Sequence, residues 1–382
     1  MPNPHATFAT SIRFDPPIGD RRPDEVIRAP GGLTLVLDDT TRVRIDPYDR
    51  RSSGFVSVLE DLARRRRPAY VEVNPDTGTI ALLLIPRPAW VISVSAGAEN
   101  TLEVELHPSH ARHFLRMSEE NSDVLERRLR DALEAKRPVL LTEGHRGGII
   151  DVRDVAPDPE WPLPPFPEPG GPSPPQTTRQ TRRARFYTLW KWFWIPAWLS
   201  QCPSLATAQQ VFDQIAAKTC DPTSPTDVWT LGGPCIPLLY PDDGCWARAH
   251  EMCRLLLQKG YSPRKLWISG PLHVDTPNHP DCFVDWAYYH VAPILCVRGP
   301  KLFDSQMMVI DPSLLKTPVT QAAWIFEQNN PNATLTETDA SQFFRNGGTD
   351  PNYTETAKYL HDYHVLLLNR ANELGPPPYQ CP

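Results

Sequence analysis

Hydrophobic and polar positions in the N-terminal half predict helices that alternate with short strands. The segment "LEDLARRRRPAYVEVNPDTGTIALL" begins at Leu59, and "LRDALEAKRPVLLTEGHRGGIIDVR" begins at Leu129, at a constant offset of 70 residues. In both, an amphipathic helical pattern ends at an Arg-Pro pair, and two apolar strands around a glycine turn follow. Further strand-like runs lie at 33–37, 89–96 and 101–107. We therefore predict that residues 1–155 form a smaller α+β domain with two helix-hairpin repeats.

The C-terminal half has a different order, with helices first and strands later. A helical pattern covers 204–219 with Ser204 as its N-cap, and a second helix is predicted from Cys245 to about Lys259. Runs rich in β-branched and aromatic residues predict strands at 265–269, 283–297 and 306–312. Helices followed by an antiparallel-type sheet are typical of an α+β fold.

Proline marks the boundary between the two halves. Ten of the 44 prolines lie in "PDPEWPLPPFPEPGGPSPP" at 157–175, where neither a helix nor a sheet ladder can form, so we expect a semi-rigid spacer. The basic "TRQTRRAR" that follows is typical both of a trypsin-like cleavage site and of a solvated linker end. We predict an N-terminal α+β domain at 1–155, a Pro-rich and basic linker at 156–185, and a catalytic domain at 186–382.

Charge and hydropathy exclude several classes of partner. The net charge of −6 gives no reason to expect nucleic acid, and no run of about 18 apolar residues is present that would span a membrane. The N-terminus, "MPNPHATFATSIRFDPPIGD", lacks the apolar core of a secretory signal. All eight cysteines lie between Cys202 and Cys381, and disulfides would imply export. The sequence favours a secreted or exported protein without a recognisable signal peptide over a cytoplasmic one.

Three residues far apart in the sequence carry the candidate chemistry. Cys245 follows Asp-Asp-Gly at a predicted helix start, where the helix dipole favours a thiolate and the backbone N–H groups of Cys245 and Trp246 are candidate oxyanion donors. His290 lies inside the apolar strand "WAYYHVAPIL", and Asp311 ends the strand in "MMVIDPS". In this order they would supply a nucleophile, a general base and an orienting carboxylate. Each residue by itself is more typical of a structural role.

Metal binding is an alternative role for Cys245. Cys245, His250 and Cys253 have the spacing C-x4-H-x2-C. On a helix, however, His250 lies about 140° and Cys253 about 80° around the axis from Cys245. The three side chains therefore do not converge on one ion, and we predict no metal site.

Disulfide formation is the other alternative. Cys220 and Cys235 bracket a loop rich in Pro, Thr and Gly and form the candidate disulfide. Cys253 and Cys296 lie in a predicted helix and a predicted strand, where buried free thiols are usual. If one cysteine is catalytic, seven remain, so complete pairing is not possible.

The segments "CIPLLYPDDGCWARAHEMCRLLLQKGY", "DWAYYHVAPIL" and "IDPSLLKTPVTQAAW" resemble successive motifs of the bacterial protein-glutamine glutaminases, also called protein glutamine deamidases. The resemblance runs from about Pro203 to Trp324. Matching of the motifs gives Cys245 the place of the nucleophile, His290 that of the base and Asp311 that of the orienting acid. It also implies a C-terminal core similar to transglutaminases and papain-like cysteine hydrolases. We expect no cofactor.

The resemblance implies an enzyme that hydrolyses glutamine side chains of proteins or peptides to glutamate and releases ammonia through a thioester. Transglutaminase-like acyl transfer remains an alternative, as does a secreted toxin or effector deamidase that acts on one partner protein. An inactive binding module is disfavoured, because all three catalytic residue types are present. The family's enzymes carry a pro-region that covers the active site, and "SVLEDLARRRRPAYVEVNPDTGTIALL" is similar to part of it. The N-terminal domain is therefore expected to cover the site in cis or to serve in targeting.

Overall fold

The computed structural model describes residues 6–144, 146–155, 163, 166–167, 202–224, 234–299 and 304–381. Most of the linker predicted at 156–185 and the beginning of the predicted catalytic domain, 186–201, lie outside the described residues. The described residues form a mixed α/β structure. Within them, no helix has the length and apolar character that a membrane crossing requires.

The described residues group into two compact units. Unit 1 takes those of Met1–Phe166, Asp221–Thr226 and His364–Pro377, and unit 2 takes those of Pro167–Cys220, Asp227–Tyr363 and Pro378–Pro382. Two segments of the C-terminal half therefore belong to unit 1. The reason is hydrophobic packing, because Val365 and Leu368 are part of the first core of that unit.

The first part of unit 1 contains two antiparallel three-stranded sheets, with the orders β1-β5-β6 and β2-β3-β4. Its elements are β1 (Ala6–Ala9), β2 (Ile12–Asp15), α1 (Pro23–Ile27), β3 (Leu33–Leu37), β4 (Thr41–Ile45), α2 (Ser52–Arg64), β5 (Ala69–Val73) and β6 (Ile80–Leu84). The helix α2 places Phe55, Leu59 and Leu62 in the core between these sheets, as its spacing of apolar residues predicts.

The second part of unit 1 is a five-stranded antiparallel sheet, with the order β11-β10-β7-β8-β9, and one helix. Its elements are β7 (Arg87–Ala96), β8 (Thr101–His107), β9 (His113–Arg116), α3 (Ser122–Glu134), β10 (Pro138–Glu143) and β11 (Ile149–Asp154). Leu129 and Ala132 of α3 pack against the sheet in a core of their own.

The segments that follow α2 and α3 have the same local geometry. Each helix ends next to a residue with positive φ, Arg66 at 53° and Lys136 at 45°. An antiparallel hairpin follows each helix, β5-β6 in the first segment and β10-β11 in the second. Both hairpins contain a register shift, at Glu72/Val73 and at Thr142/Glu143, which is the same position at the offset of 70.

Unit 2 is built around a five-stranded antiparallel sheet with the order β17-β16-β15-β12-β18. Before the sheet come α4 (Leu205–Ala216) and α5 (Cys245–Gln258). Its strands and the later elements are β12 (Arg264–Ser269), β13 (Leu272–Asp275), β14 (Phe283–Trp286), β15 (Tyr289–Arg298), β16 (Ser305–Val309), β17 (Val319–Thr320), α6 (Gln321–Phe326), β18 (Thr334–Asp339), β19 (Gln342–Phe344) and β20 (Gly347–Thr349). The last helix, α7 (Thr354–Leu374), begins in unit 2, and its residues from His364 onward belong to unit 1.

Two of the predicted strands need correction. The strand predicted at 283–297 is two strands, β14 and β15, and β14 pairs with β13 rather than with the large sheet. The strand predicted at 306–312 ends at Val309. Beyond it the chain turns, because the Asp311 carbonyl accepts the N–H groups of Leu314 (3.2 Å) and Leu315 (2.9 Å). Asp311 therefore lies just after β16 and not within it.

Six of the eight cysteines form disulfides, and Cys245 and Cys253 are free and buried. The pairs are Cys202–Cys296, Cys220–Cys235 and Cys282–Cys381. The expectation that Cys296 is a free thiol is wrong. The chain before α4 runs beside the end of β15, where the Arg298 N–H donates to the Pro203 carbonyl (2.8 Å), and this pairing brings Cys202 to Cys296.

The disulfide pattern predicts the number of thiols in the purified protein. A thiol reagent added to denatured, unreduced protein should label two cysteines per chain, Cys245 and Cys253, because the other six are oxidised. Mass spectrometry of the labelled peptides identifies the sites. Label on Cys202 or Cys296 would contradict the disulfide that joins the segment before α4 to β15.

Candidate active site

Cys245 is the first residue of α5, and Gly244 is the N-cap that precedes it. Gly244 has a φ of +80°, a conformation that side chains with a Cβ rarely adopt. A Cβ at this position would lie 2.4 Å from the ring of Tyr363, so the site has neither the backbone geometry nor the space for another residue. The Asp243 carboxylate accepts the Gly244 N–H (2.9 Å) and holds the turn before the helix. The sequence Asp-Gly-Cys therefore fixes the sulfur at the helix start.

His290 lies near the start of β15 and is almost fully buried. Its Nε2–H donates to Oδ2 of Asp311 (2.9 Å), which leaves Nδ1 as the nitrogen that can take up a proton. A ring nitrogen of His290 and the Sγ atom of Cys245 lie within 4.8 Å of one another. The indole of Trp286 stacks on the imidazole, with ring centroids 4.2 Å apart and planes inclined by 14°. The stacking restricts the rotation of the ring.

Asp311 is the most heavily bonded residue of the site. Besides His290, the Ser313 hydroxyl donates to Oδ1 (2.5 Å) and the Trp324 indole N–H donates to Oδ2 (2.9 Å). Burial by itself would raise the pKa of this carboxyl, but the attraction and hydrogen bond of His290, with the bonds of Ser313 and Trp324, lower it below its usual value. Asp311 is therefore an ionised carboxylate that holds the His290 ring in one tautomer.

Burial governs the protonation of the other two groups. It raises the pKa of the Cys245 thiol well above its ordinary value, although the nearby charge of Arg248 opposes this effect. It also lowers the pKa of His290, against the attraction of Asp311. Burial therefore favours the protonated thiol and the neutral imidazole, the pair of forms from which general-base catalysis starts.

Arg248 lies one turn into α5 and is buried. Its Nη1 donates to the carbonyl of Tyr240 (2.9 Å) and also, in a short bond, to the carbonyl of Asp243. Its backbone N–H closes the first turn on the Gly244 carbonyl (3.1 Å). The helix therefore holds, through one side chain, the loop that leads into the candidate nucleophile.

His250 and Cys253, which share the C-x4-H-x2-C spacing with Cys245, lie in surroundings that differ from those of Cys245. The buried ammonium of Lys265 donates to His250 Nδ1 (2.8 Å) and to the Gln342 carbonyl (2.5 Å). Burial and the Lys265 charge lower the pKa of His250 to about 4, so this ring is a neutral acceptor. Burial raises the pKa of Cys253 to about 12, and this thiol is inert. His250 therefore joins α5 to β12 through its bond with Lys265.

The three candidate catalytic residues come together in unit 2, and the sequence did not identify the side chains that hold them. Trp286, Ser313 and Trp324 contact His290 or Asp311 directly. All three lie within the motifs quoted above. No rule of sequence spacing, however, predicts that the indole of Trp286 stacks on the imidazole of His290, which lies four residues later and beyond a turn. Trp246, proposed with Cys245 as a backbone oxyanion donor, lies in the first turn of α5.

Comparisons with known proteins give one consistent result. A family model described as "Glutaminase" matches residues 208–328. A crystal structure of pro-protein-glutaminase is 22% identical with a TM-score of 0.48, over 74% of this chain and 94% of that chain. A crystal structure of protein-glutaminase is 30% identical with a TM-score of 0.35, over 42% of this chain and 87% of that chain. The NMR structure of protein-glutaminase from Chryseobacterium proteolyticum is 29% identical with a TM-score of 0.35, over 41% and 84%. A comparison with curated proteins finds no match.

Alanine at position 244 tests the constraint on the helix start. Gly244→Ala should destabilise the fold because a positive φ costs an L-residue roughly 1–2 kcal/mol and the new Cβ meets the Tyr363 ring. Gly260→Ala is the matched control, since Gly260 also has a φ of +80° but has nothing within 4 Å of its Cβ position. Urea unfolding should show a loss for Gly244→Ala that exceeds the control by about 1–3 kcal/mol. Equal losses would contradict the contact with Tyr363.

Proposed function

This chain belongs to the protein-glutaminase family, and on that basis we propose that it hydrolyses the side-chain amides of glutamine residues in proteins. The products are glutamate residues and ammonia. The observation that carries the proposal is the arrangement of Cys245, His290 and Asp311, in which a buried carboxylate orients an imidazole and a nitrogen of that ring lies within 4.8 Å of the thiol sulfur. That arrangement suits acyl transfer from an amide to water.

The first half of the reaction forms a thioester. As the Cys245 sulfur attacks the carboxamide carbon of a glutamine, His290 Nδ1 takes the thiol proton, since burial favours the protonated thiol. The resulting imidazolium is stabilised by the ionised Asp311. The oxyanion forms beside the N-terminus of α5, and we assign its stabilisation to the backbone N–H groups of Cys245 and Trp246, which belong to the first helical turn.

The second half releases the products. His290 returns its proton to the amide nitrogen, the C–N bond breaks, and ammonia leaves the γ-glutamyl thioester on Cys245. A water molecule then gives one proton to His290 Nδ1 and attacks the thioester carbon. The C–S bond breaks, His290 reprotonates the sulfur, and the glutamate product leaves. The burial that lowers the pKa of His290 makes its protonated form a stronger acid and so favours protonation of the leaving nitrogen.

We further assign unit 2 a core of the transglutaminase and papain-like type. In support, a nucleophile begins one helix, the base lies near the start of a strand, and the orienting carboxylate follows the adjacent antiparallel strand. We also assign unit 1 two related helix-hairpin units, supported by the shared positive-φ helix ends and register shifts described above. We assign it the part of a pro-region that covers the active site in cis.

We place the enzyme outside the cytoplasm. The support is chemical, because three disulfides form and persist in oxidising compartments and are rare where glutathione and thioredoxin keep thiols reduced. The substrates would then be proteins with accessible glutamine side chains in the same environment.

Removal of the nucleophile or the base tests the reaction. Cys245→Ala and His290→Ala should each reduce ammonia release from a glutamine-containing protein such as casein by at least about 10³-fold, because the first loses the acyl acceptor and the second its proton acceptor. Cys253→Ser is the matched control, since Cys253 is the other buried free thiol and should keep most of the activity. Undiminished release by both Cys245→Ala and His290→Ala would refute the assignment.

A cleavable linker tests the role of unit 1. Residues 364–377 at the C-terminal end belong to unit 1, so deletion of residues 1–155 would remove the packing partners of Val365 and Leu368. A specific protease site inserted into the Pro-rich linker avoids that damage. Cleavage should raise the rate of ammonia release if unit 1 covers the site, and a variant with a scrambled protease site should not change. An unchanged rate after complete cleavage of the linker would show that unit 1 has another role.

A further inference from the structure

Arg248 is a buried cation without an acidic partner. It is 1% exposed, and within the part of the chain that the structure describes it forms no ion pair. Its Nη1 binds two backbone carbonyls, and its Nη2 has no hydrogen-bond partner among the described residues. The next arginine on the same helix, Arg254, is bonded to the carboxylate of Glu251 (2.7 and 2.5 Å).

This difference is energetically significant. Burial of a charged group without a counter-charge is unfavourable in proteins, and buried charges are as a rule paired or bound to a ligand. A guanidinium does not escape this cost by losing its proton, because it stays protonated in proteins. A buried arginine with an unused donor is therefore a position where a negative charge of the reaction would be stabilised.

The charge of Arg248 acts on the catalytic pair. Among the charged groups near the sulfur it is the strongest influence that lowers the pKa of Cys245, and it also lowers that of His290. Asp243 and Asp311 act on the sulfur in the opposite direction. The Lys265 ammonium, the Tyr289 hydroxyl and His290 are the other titratable groups of unit 2 that interact with Cys245 or lie beside it.

We propose that Arg248 is a positioning residue of the active site: its guanidinium clamps the Tyr240–Asp243 loop before the nucleophile and supplies the buried positive charge against which Cys245 becomes negative. Asp311 and Arg248 then share the ion pair that forms during attack, with Asp311 stabilising the imidazolium and Arg248 stabilising the sulfur. The inference deepens the proposed function, on which it rests only for the identity of the nucleophile.

The same charge has a second consequence for the reaction. It disfavours the imidazolium, so the protonated His290 gives up its proton to the leaving nitrogen more readily. Arg248 therefore assists both the formation of the thiolate and the departure of ammonia. It does so through Cys245 and His290, and it needs no contact with the substrate.

The test separates the charge of Arg248 from its hydrogen bonds. Arg248→Gln removes the positive charge but keeps a side-chain N–H group that can donate to a backbone carbonyl. Arg248→Lys keeps the positive charge but loses the planar guanidinium with its several N–H donors. Arg254→Gln is the matched control on the same helix. The readout is the rate at which a small neutral thiol reagent modifies Cys245 in the full chain between pH 6 and 9, measured by peptide mass spectrometry, with Cys253 as the internal reference for opening of the fold.

Below the thiol pKa, the thiolate fraction falls tenfold for each unit by which that pKa rises, but the more basic thiolate is also more nucleophilic, so the modification rate falls by about threefold per unit. Arg248→Gln should therefore slow the modification of Cys245 by about threefold or more relative to Cys253, Arg248→Lys by less than about twofold, and Arg254→Gln not at all. In the deamidation assay, kcat should fall in Arg248→Gln while KM stays nearly constant, because Arg248 does not contact the substrate.

Two results would overturn the proposal. One is a folded Arg248→Gln protein, with wild-type circular dichroism and melting temperature, whose Cys245 reacts at the wild-type rate. The other is a folded Arg248→Lys protein whose Cys245 reacts as slowly as the proposal expects for Arg248→Gln. If Arg248→Gln does not fold, the Arg248→Lys result decides alone. Because thiol modification needs no substrate, a failure here is distinct from an absence of deamidase activity.

Discussion

The hydrogen bond between His290 and the buried carboxylate of Asp311 is the interaction on which the geometry of the candidate active site depends. It forms between two groups that are each about 1% exposed, so water does not compete for either partner. Ser313 and Trp324 satisfy the remaining oxygen positions of the carboxylate, which keeps it ionised despite its burial. The ring orientation, the tautomer and the position of the basic nitrogen all follow from this one contact, and the stacked Trp286 maintains them.

A second constraint fixes the nucleophile. The turn before α5 needs a positive φ where the Tyr363 ring leaves no space for a side chain, and only glycine satisfies both conditions. Arg248 then ties the preceding loop to the helix, so the sulfur is held from both sides. Burial favours the neutral forms of both the Cys245 thiol and the His290 imidazole. The nearby charges of Asp311 and Arg248 oppose that effect on His290 and on Cys245, respectively.

Local patterns in the sequence predicted much of this arrangement. The start of α5 follows from the Asp-Asp-Gly turn, and the pairing of β15 with β16 follows from two apolar runs. Cys245, His290 and Asp311 became a candidate set through their order and through the resemblance of the surrounding motifs to those of the protein-glutamine glutaminases. The contacts of Trp286, Trp324 and Arg248 could not be predicted, because they depend on tertiary packing and produce no periodic pattern in the sequence. The same limit explains Cys296. A cysteine inside a strand resembles a free core thiol until the chain before α4 is known to lie beside it.

The most direct test of the account is the amide that the enzyme accepts. The purified protein is incubated separately with a glutamine-containing protein, with free glutamine and with a protein whose only side-chain amides are asparagines, and ammonia and the mass of each protein are measured. The account predicts ammonia release only from protein-bound glutamine, with a mass gain of about 1 Da per converted residue and glutamate at the modified positions. Equal release from free glutamine, or conversion of asparagine in place of glutamine, would contradict it.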